Sequence, residues 1–131
     1  MRCRKVDALL GIVFGDEGKG KVVDYFTPRY DVVARFAGGC NAGHTIIFDG
    51  KKFVLRSIPS GIFDETKTNI IGNGCVIAPD LFMAEAKELE AAGYELTDRL
   101  HTCRAGTNVL LAYVHGAMVY IISLAPPNYS T

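Results

Sequence analysis

No charge of one sign dominates this chain. Lysine and arginine together number 14, as do aspartate and glutamate, so the formal net charge is zero. That excludes the global basic field that would hold nucleic acid or an anionic membrane surface. Cysteine is sparse and scattered. Cys3, Cys40, Cys75 and Cys103 include no C-x-x-C pair, so the sequence supports no zinc site. Such wide spacing fits a reducing cytoplasm, and Cys40 reads as a small residue in a tight loop. A targeting segment is also missing. Residues 1–14 imitate a signal peptide, with a basic start and an apolar run. Asp7 interrupts that run, however, and a charged glycine loop stands where a small-residue cleavage site belongs. Repeats and low-complexity linkers are absent. Beyond Arg104 no charged residue occurs, and residues 108–125 are nearly all apolar. A run of roughly 18 residues is long enough for a membrane helix. His115 in mid-span and the lack of a following basic residue argue against a membrane partner.

Against these absences stand 14 glycines, and their placement carries the chemistry. Gly15-Asp16-Glu17-Gly18-Lys19-Gly20-Lys21 follows an apolar run and precedes Val22-Val23-Asp24-Tyr25-Phe26. The spacing from Gly15 to Lys21 fits the phosphate-binding pattern G-x-x-x-x-G-K. The Ser or Thr that usually follows, and that holds Mg²⁺, is replaced by Val22. This counts against an ordinary small GTPase. A carboxylate, Asp16, lies inside the loop instead. Phosphates would repel it unless it binds a metal or takes a proton from a substrate. A second cluster, Gly38-Gly39-Cys40-Asn41-Ala42-Gly43-His44-Thr45, follows another apolar run. Its small residues let a backbone approach a ligand closely, while Asn41 and His44 add hydrogen-bonding and proton-transfer capacity. Each cluster alone is a moderate signal, and together they are a strong one.

The pattern of the chain predicts one small α/β domain with P-loop-like character. Residues 6–14 read as a buried strand, 19–26 as a short helix closed by Thr27-Pro28, and 31–36 as a second strand. Asp49-Gly50 signals a two-residue hairpin turn between strands at 45–48 and 52–58. Residues 68–71 form a further strand, and Asn73 between two glycines reads as a turn residue. Pro79 opens a helix that stops near Gly93, with Lys87, Glu88 and Glu90 on its solvated face. Strands alternating with helices imply a mixed, largely parallel sheet flanked by helices.

The residues from Gly15 to Lys21, with Asn41-Ala42-Gly43-His44-Thr45, resemble adenylosuccinate synthetases. Ile58-Pro59-Ser60-Gly61-Ile62, Ile70-Ile71-Gly72-Asn73-Gly74 and the stretch from Ala78 to Glu85 resemble the same family, in family order. Residues 1–115 are then the N-terminal part of the synthetase domain. Residues 116–131 form an apolar tail unlike the family, as a shifted reading frame or a gene fusion would produce. Sequencing the gene across codons 110–131 and downstream tests that origin. The resemblance implies joining of IMP and L-aspartate at the expense of GTP, with Mg²⁺ as cofactor, in a cytoplasmic homodimer. It implies Asp16 as general base and His44 as general acid. It gives GTP to Gly15, Asp16, Glu17, Gly18, Lys19, Gly20, Lys21, Gly43, His44 and Thr45. It gives IMP to Asp16, Glu17, Gly18, Lys19, Asn41, Ala42, Gly43 and His44, and Mg²⁺ to Asp16 and the Gly43 carbonyl. Val13-Phe14 stand where the family usually has Gln-Trp, and Ala37 where it has Gln. The family's guanine-recognition and aspartate-binding segments lie beyond the resemblance. Little or no complete turnover is therefore expected of this chain, and a non-catalytic nucleotide-binding fragment is the alternative reading.

Overall fold

The computed structural model describes residues 5–12, 17–41 and 43–102, and the backbone of residues 119–123. Strand β1 (Val6–Leu9) leads toward the first glycine loop, and helix α1 (Lys19–Phe26) leaves it. A 3₁₀ turn (Thr27–Arg29) then leads into β2 (Val32–Gly38). The hairpin β3 (His44–Phe48) and β4 (Lys51–Leu55) follows, then a second 3₁₀ turn (Ser60–Phe63) and β5 (Thr68–Cys75). Helix α2 (Pro79–Ala91), β6 (Leu100–Thr102) and β7 (Val119–Ser123) complete the order.

The main sheet has five strands in the order β1-β7-β2-β5-β6. β2, β5 and β6 pair in parallel, whereas β7 runs antiparallel to both of its neighbours, β1 and β2. β1, β2, β5 and β6 therefore all point the same way, which makes the sheet mixed and largely parallel, as the sequence predicts. β7 falls within the apolar run considered above for a membrane helix. The rest of that run lies outside the described residues, and no helix among the described residues is long and apolar enough to cross a membrane.

The hairpin forms as expected. Asp49 and Gly50 have φ of 47° and 71°, the paired left-handed conformations of a type I′ turn. Three strand readings need correction. β4 ends at Leu55 rather than Ile58, because residues 56–58 bend where the Glu85 carboxylate takes their N–H groups. β1 ends at Leu9 and is only half-buried, because Val6 and Ala8 on its second face are exposed. Asn73 is not a turn residue but lies inside β5, which runs on to Cys75. Gly72 and Gly74 flank it for close approach rather than turning: a Cβ at Gly74 would lie 2.5 Å from the Phe36 carbonyl oxygen of β2. That crowding coincides with the register shift between Arg35 and Ala37.

Two apolar clusters hold the layers. Val23 of α1 packs with Tyr30 and Val33, joined by Leu9 and Phe26, which seats α1 on the sheet. Ile46, Phe53, Leu55, Ile58, Ile62, Phe63, Ala86, Leu89 and Leu96 tie the hairpin to α2 and the second 3₁₀ turn. Phe63 and Tyr94 meet edge to face there, with centroids 5.2 Å apart. Lys87, Glu88 and Glu90 are exposed, as the helix pattern implies. Ile12, Ile47 and Tyr25 are exposed apolar residues at 91%, 74% and 69%.

Candidate functional site

Gly18 adopts φ 76° at the head of α1, a left-handed conformation that glycine takes without strain. It aims the first turn of α1 at the second loop. There Gly20 lies against His44, the first residue of β3. A Cβ at Gly20 would sit 2.5 Å from His44 Cδ2, so only a glycine admits the imidazole. The fold thus joins the two motifs that the sequence presents separately. Lys19 is buried at the helix start and forms an ion pair with Glu17. A Cβ at Gly11 would fall 2.5 Å from Lys19 Nζ, so this ammonium rests on the backbone that leaves β1. Lys21, Asn41, Gly43 and Thr45 are exposed around this contact. Gly15, Asp16 and Ala42 lie outside the described residues.

The second loop is pinned from behind by side chains that motif reading missed. Arg35, in the middle of β2 and 1% exposed, donates to the carbonyl oxygens of Gly39 (2.6 Å) and Arg56. Arg56 Nη1 reaches the Cys40 carbonyl at 3.5 Å, and Val76 N–H donates to Gly38 O at 2.9 Å. The buried Glu85 carboxylate of α2 accepts from the backbone N–H groups of Arg56, Ser57 and Ile58 at 3.0 to 3.3 Å. Arg35 and Glu85 thus hold the same turn, one through the Arg56 carbonyl and the other through the N–H groups of residues 56–58. Both carried a sequence signal, since a charge within Val32-Val33-Ala34-Arg35-Phe36 and one between Phe82 and Leu89 each fall on apolar patterns.

Burial pushes the His44 imidazole down from 6.5 to about 4, and the Arg35 charge adds to the effect. His44 is thus neutral at pH 7. The unfolded chain takes up the proton first, so this contribution to stability is complete above 6.5 and is lost as pH falls toward 4. Urea midpoints should fall by about 2 kcal/mol equivalent between about pH 7.5 and pH 5, and His44→Leu should flatten that limb. An unchanged acid limb in the variant would assign the loss to other groups.

Among the described residues no cluster of three or more His, Cys, Asp or Glu side chains could hold a metal ion. Asp16, the carboxylate that the sequence offers to a metal, lies outside those residues, and a hard cation such as Mg²⁺ accepts backbone carbonyl oxygens as well as carboxylates. The exposed Gly43 fits such a role. A Cβ there would lie 2.9 Å from Val54 Cγ1, which keeps this backbone bare of side chain.

The comparisons with known proteins point to one family. The family model described as adenylosuccinate synthetase matches residues 8–117. The adenylosuccinate synthetase of Phocaeicola vulgatus is 65% identical over 106 residues, covering 81% of this chain and 25% of that protein. The Porphyromonas gingivalis enzyme is 65% identical over 96 residues, covering 73% of this chain and 23% of that protein. Among solved structures, fully ligated adenylosuccinate synthetase from Plasmodium falciparum superposes with a TM-score of 0.61 at 42% identity, covering 71% of this chain and 21% of that one. The chain spans about a quarter of the length of the curated relatives it matches. With its glycine loop seated against His44 and the family matched across most of its length, the chain belongs to the adenylosuccinate synthetase family.

Proposed function

We propose that this chain is the phosphate-handling N-terminal part of a GTP-dependent ligase that joins IMP to L-aspartate, giving adenylosuccinate, GDP and phosphate. The observation that carries the reading is the seating of the His44 ring on Gly20, which brings both loops to one place. Asp16 takes the N1 proton of IMP. Oxygen 6 of IMP then attacks the γ-phosphorus of GTP as the bond to the GDP oxygen breaks. The aspartate amine next displaces phosphate from carbon 6. Lys19, Lys21 and the N–H groups of Gly15, Glu17, Gly18 and Gly20 hold phosphate oxygens at the start of α1, where the helix dipole favours anions. His44, neutral at rest, donates an N–H to the transferring phosphoryl group, and a phosphate beside it favours uptake of a second proton. Asn41 and Ala42 face IMP, and Thr45 extends the GTP contact. Mg²⁺ would be held by Asp16 and the Gly43 carbonyl, where it neutralises charge on the phosphates. The reading places the protein in the cytoplasm as a homodimer.

The test is positional isotope exchange in GTP labelled at the β,γ-bridge oxygen, with IMP and Mg²⁺ but without aspartate. Exchange is expected to fall at least about 100-fold in Asp16→Asn, the scale of a lost general base, while GTP binding persists. Complete adenylosuccinate formation is expected to be minimal, and turnover like that of a full-length relative would contradict this. GTP binding with no IMP-dependent exchange in the parent chain selects the non-catalytic nucleotide-binding fragment.

A further inference from the structure

Among the described residues, β1 and β2 do not pair with each other; both pair with β7. The registers align across three strands. Ile121 lies between Ala8 and Ala34, Tyr120 between Leu9 and Arg35, and Ser123 between Val6 and Val32. Because β7 is antiparallel to both neighbours, β1 and β2 are parallel to each other, two strand spacings or about 10 Å apart. Both therefore end on the same edge of the sheet, and the two candidate ligand loops leave from those ends. β1 is four residues long and half-exposed, and a strand of that length does not hold its place without a ladder. β7 lies beyond residues 8–117, the part that the family model matches.

We infer that residues 119–123 are a keystone strand, donated by the chain to itself, which fills the slot between β1 and β2 and sets the distance between the two loops. The inference concerns the fold and does not depend on which ligand the loops take. The chain's geometry favours its own segment over that of a second copy. β6 runs parallel to β2 and β7 antiparallel to it, so β6 ends on the edge where β7 begins. Those two points are three strand spacings apart, about 14 Å. Residues 103–118 connect them, a length that spans on the order of 50 Å when extended. A segment attached through a connection of sufficient length reaches the slot at high effective concentration.

The first measurement is amide hydrogen exchange on the full chain, diluted until it is monomeric. Amides of 119–123 should exchange at least about 100-fold more slowly than in an unstructured peptide, in step with those of β1 and β2. Free exchange at 119–123 while β2 stays protected would overturn the inference. So would protection that appears only in a dimer, since the strand would then come from another copy. Ile121→Pro is the second arm. An interior strand bonds on both sides, so a proline there removes a ladder hydrogen bond whichever way its N–H pointed. Protection should fall at least about 10-fold in Val6–Leu9 but persist in the β3–β4 hairpin, which forms a separate sheet. Retained protection of β1 in this variant would also overturn the inference.

Discussion

Replacing Glu85 with alanine should destabilise the chain by about 3–5 kcal/mol, the largest single side-chain effect expected in this fold. The carboxylate satisfies three consecutive backbone N–H groups, those of Arg56, Ser57 and Ile58. Ser57 and Ile58 are buried at 3% and 0% exposure, so water reaches them poorly once the acceptor is gone. Each orphaned donor costs about 1–3 kcal/mol. Burial raises the Glu85 pKa, while the three N–H groups and the Arg35 charge pull it back. Its ionised form is therefore held at a cost, yet it is the form that accepts all these bonds. Glu85→Gln separates the two terms. The amide removes the burial penalty on charge but offers one acceptor oxygen, and its NH₂ meets the Ser57 N–H. It should lose less than alanine but still about 1–3 kcal/mol, measured by urea unfolding. If Glu85→Ala unfolds at the parent midpoint, the grip of α2 on residues 56–58 is not a source of stability.

The damage should also reach the candidate site. Leu55 pairs with His44 across the hairpin, and Arg56 follows Leu55 directly. The turn that Glu85 holds is thus the end of the strand that places His44. A change at Glu85, on α2, should alter the surroundings of an imidazole on β3 without touching it.

Most of the elements were legible in the sequence because they rest on local chemistry. Asp49-Gly50 dictates its hairpin, Pro79 and Gly93 bracket α2, and the glycine loop opens α1 at Lys19. The readings that failed depend on distant neighbours. Gly72-Asn73-Gly74 carries the residue types of a turn, and only the Phe36 carbonyl of an adjacent strand explains why glycine is needed within β5. The apolar run of β1 implies a buried strand, but burial depends on what covers its second face. The seating of β7 between β1 and β2 could not be read locally, since an apolar run does not state its neighbours. At the candidate site, motif chemistry selected Lys19, Gly20, Gly43 and His44. The Arg35, Arg56 and Glu85 scaffold has no motif: a charge within an apolar pattern signals burial at Arg35 and Glu85, but the carbonyl or N–H that each one meets is set by the fold.

Arg35→Met should lower stability by about 2–4 kcal/mol and, unlike an ordinary core change, should raise the His44 pKa. The arginine stem and guanidinium are enclosed at 1% exposure, and methionine approximates the stem without the donors. Two carbonyls then lose their partner, that of Gly39 in the ligand loop and that of Arg56 beside the Glu85 turn. The positive charge also vanishes from the neighbourhood of His44, whose pKa it helps to hold near 4. Removing it favours the imidazolium, so the histidine should titrate closer to 6.5 and the acid loss of stability should shrink. The size of that rise apportions the depression between charge and burial, with burial expected to keep the larger share. Proton NMR of the His44 ring during a pH titration of parent and variant measures it directly. Arg35 and Glu85 hold the same turn, so the double variant should be less unstable than the sum of the singles, by at least about 0.5 kcal/mol. Strict additivity would mean that the two grips are independent. An unmoved histidine would mean that burial alone keeps His44 neutral.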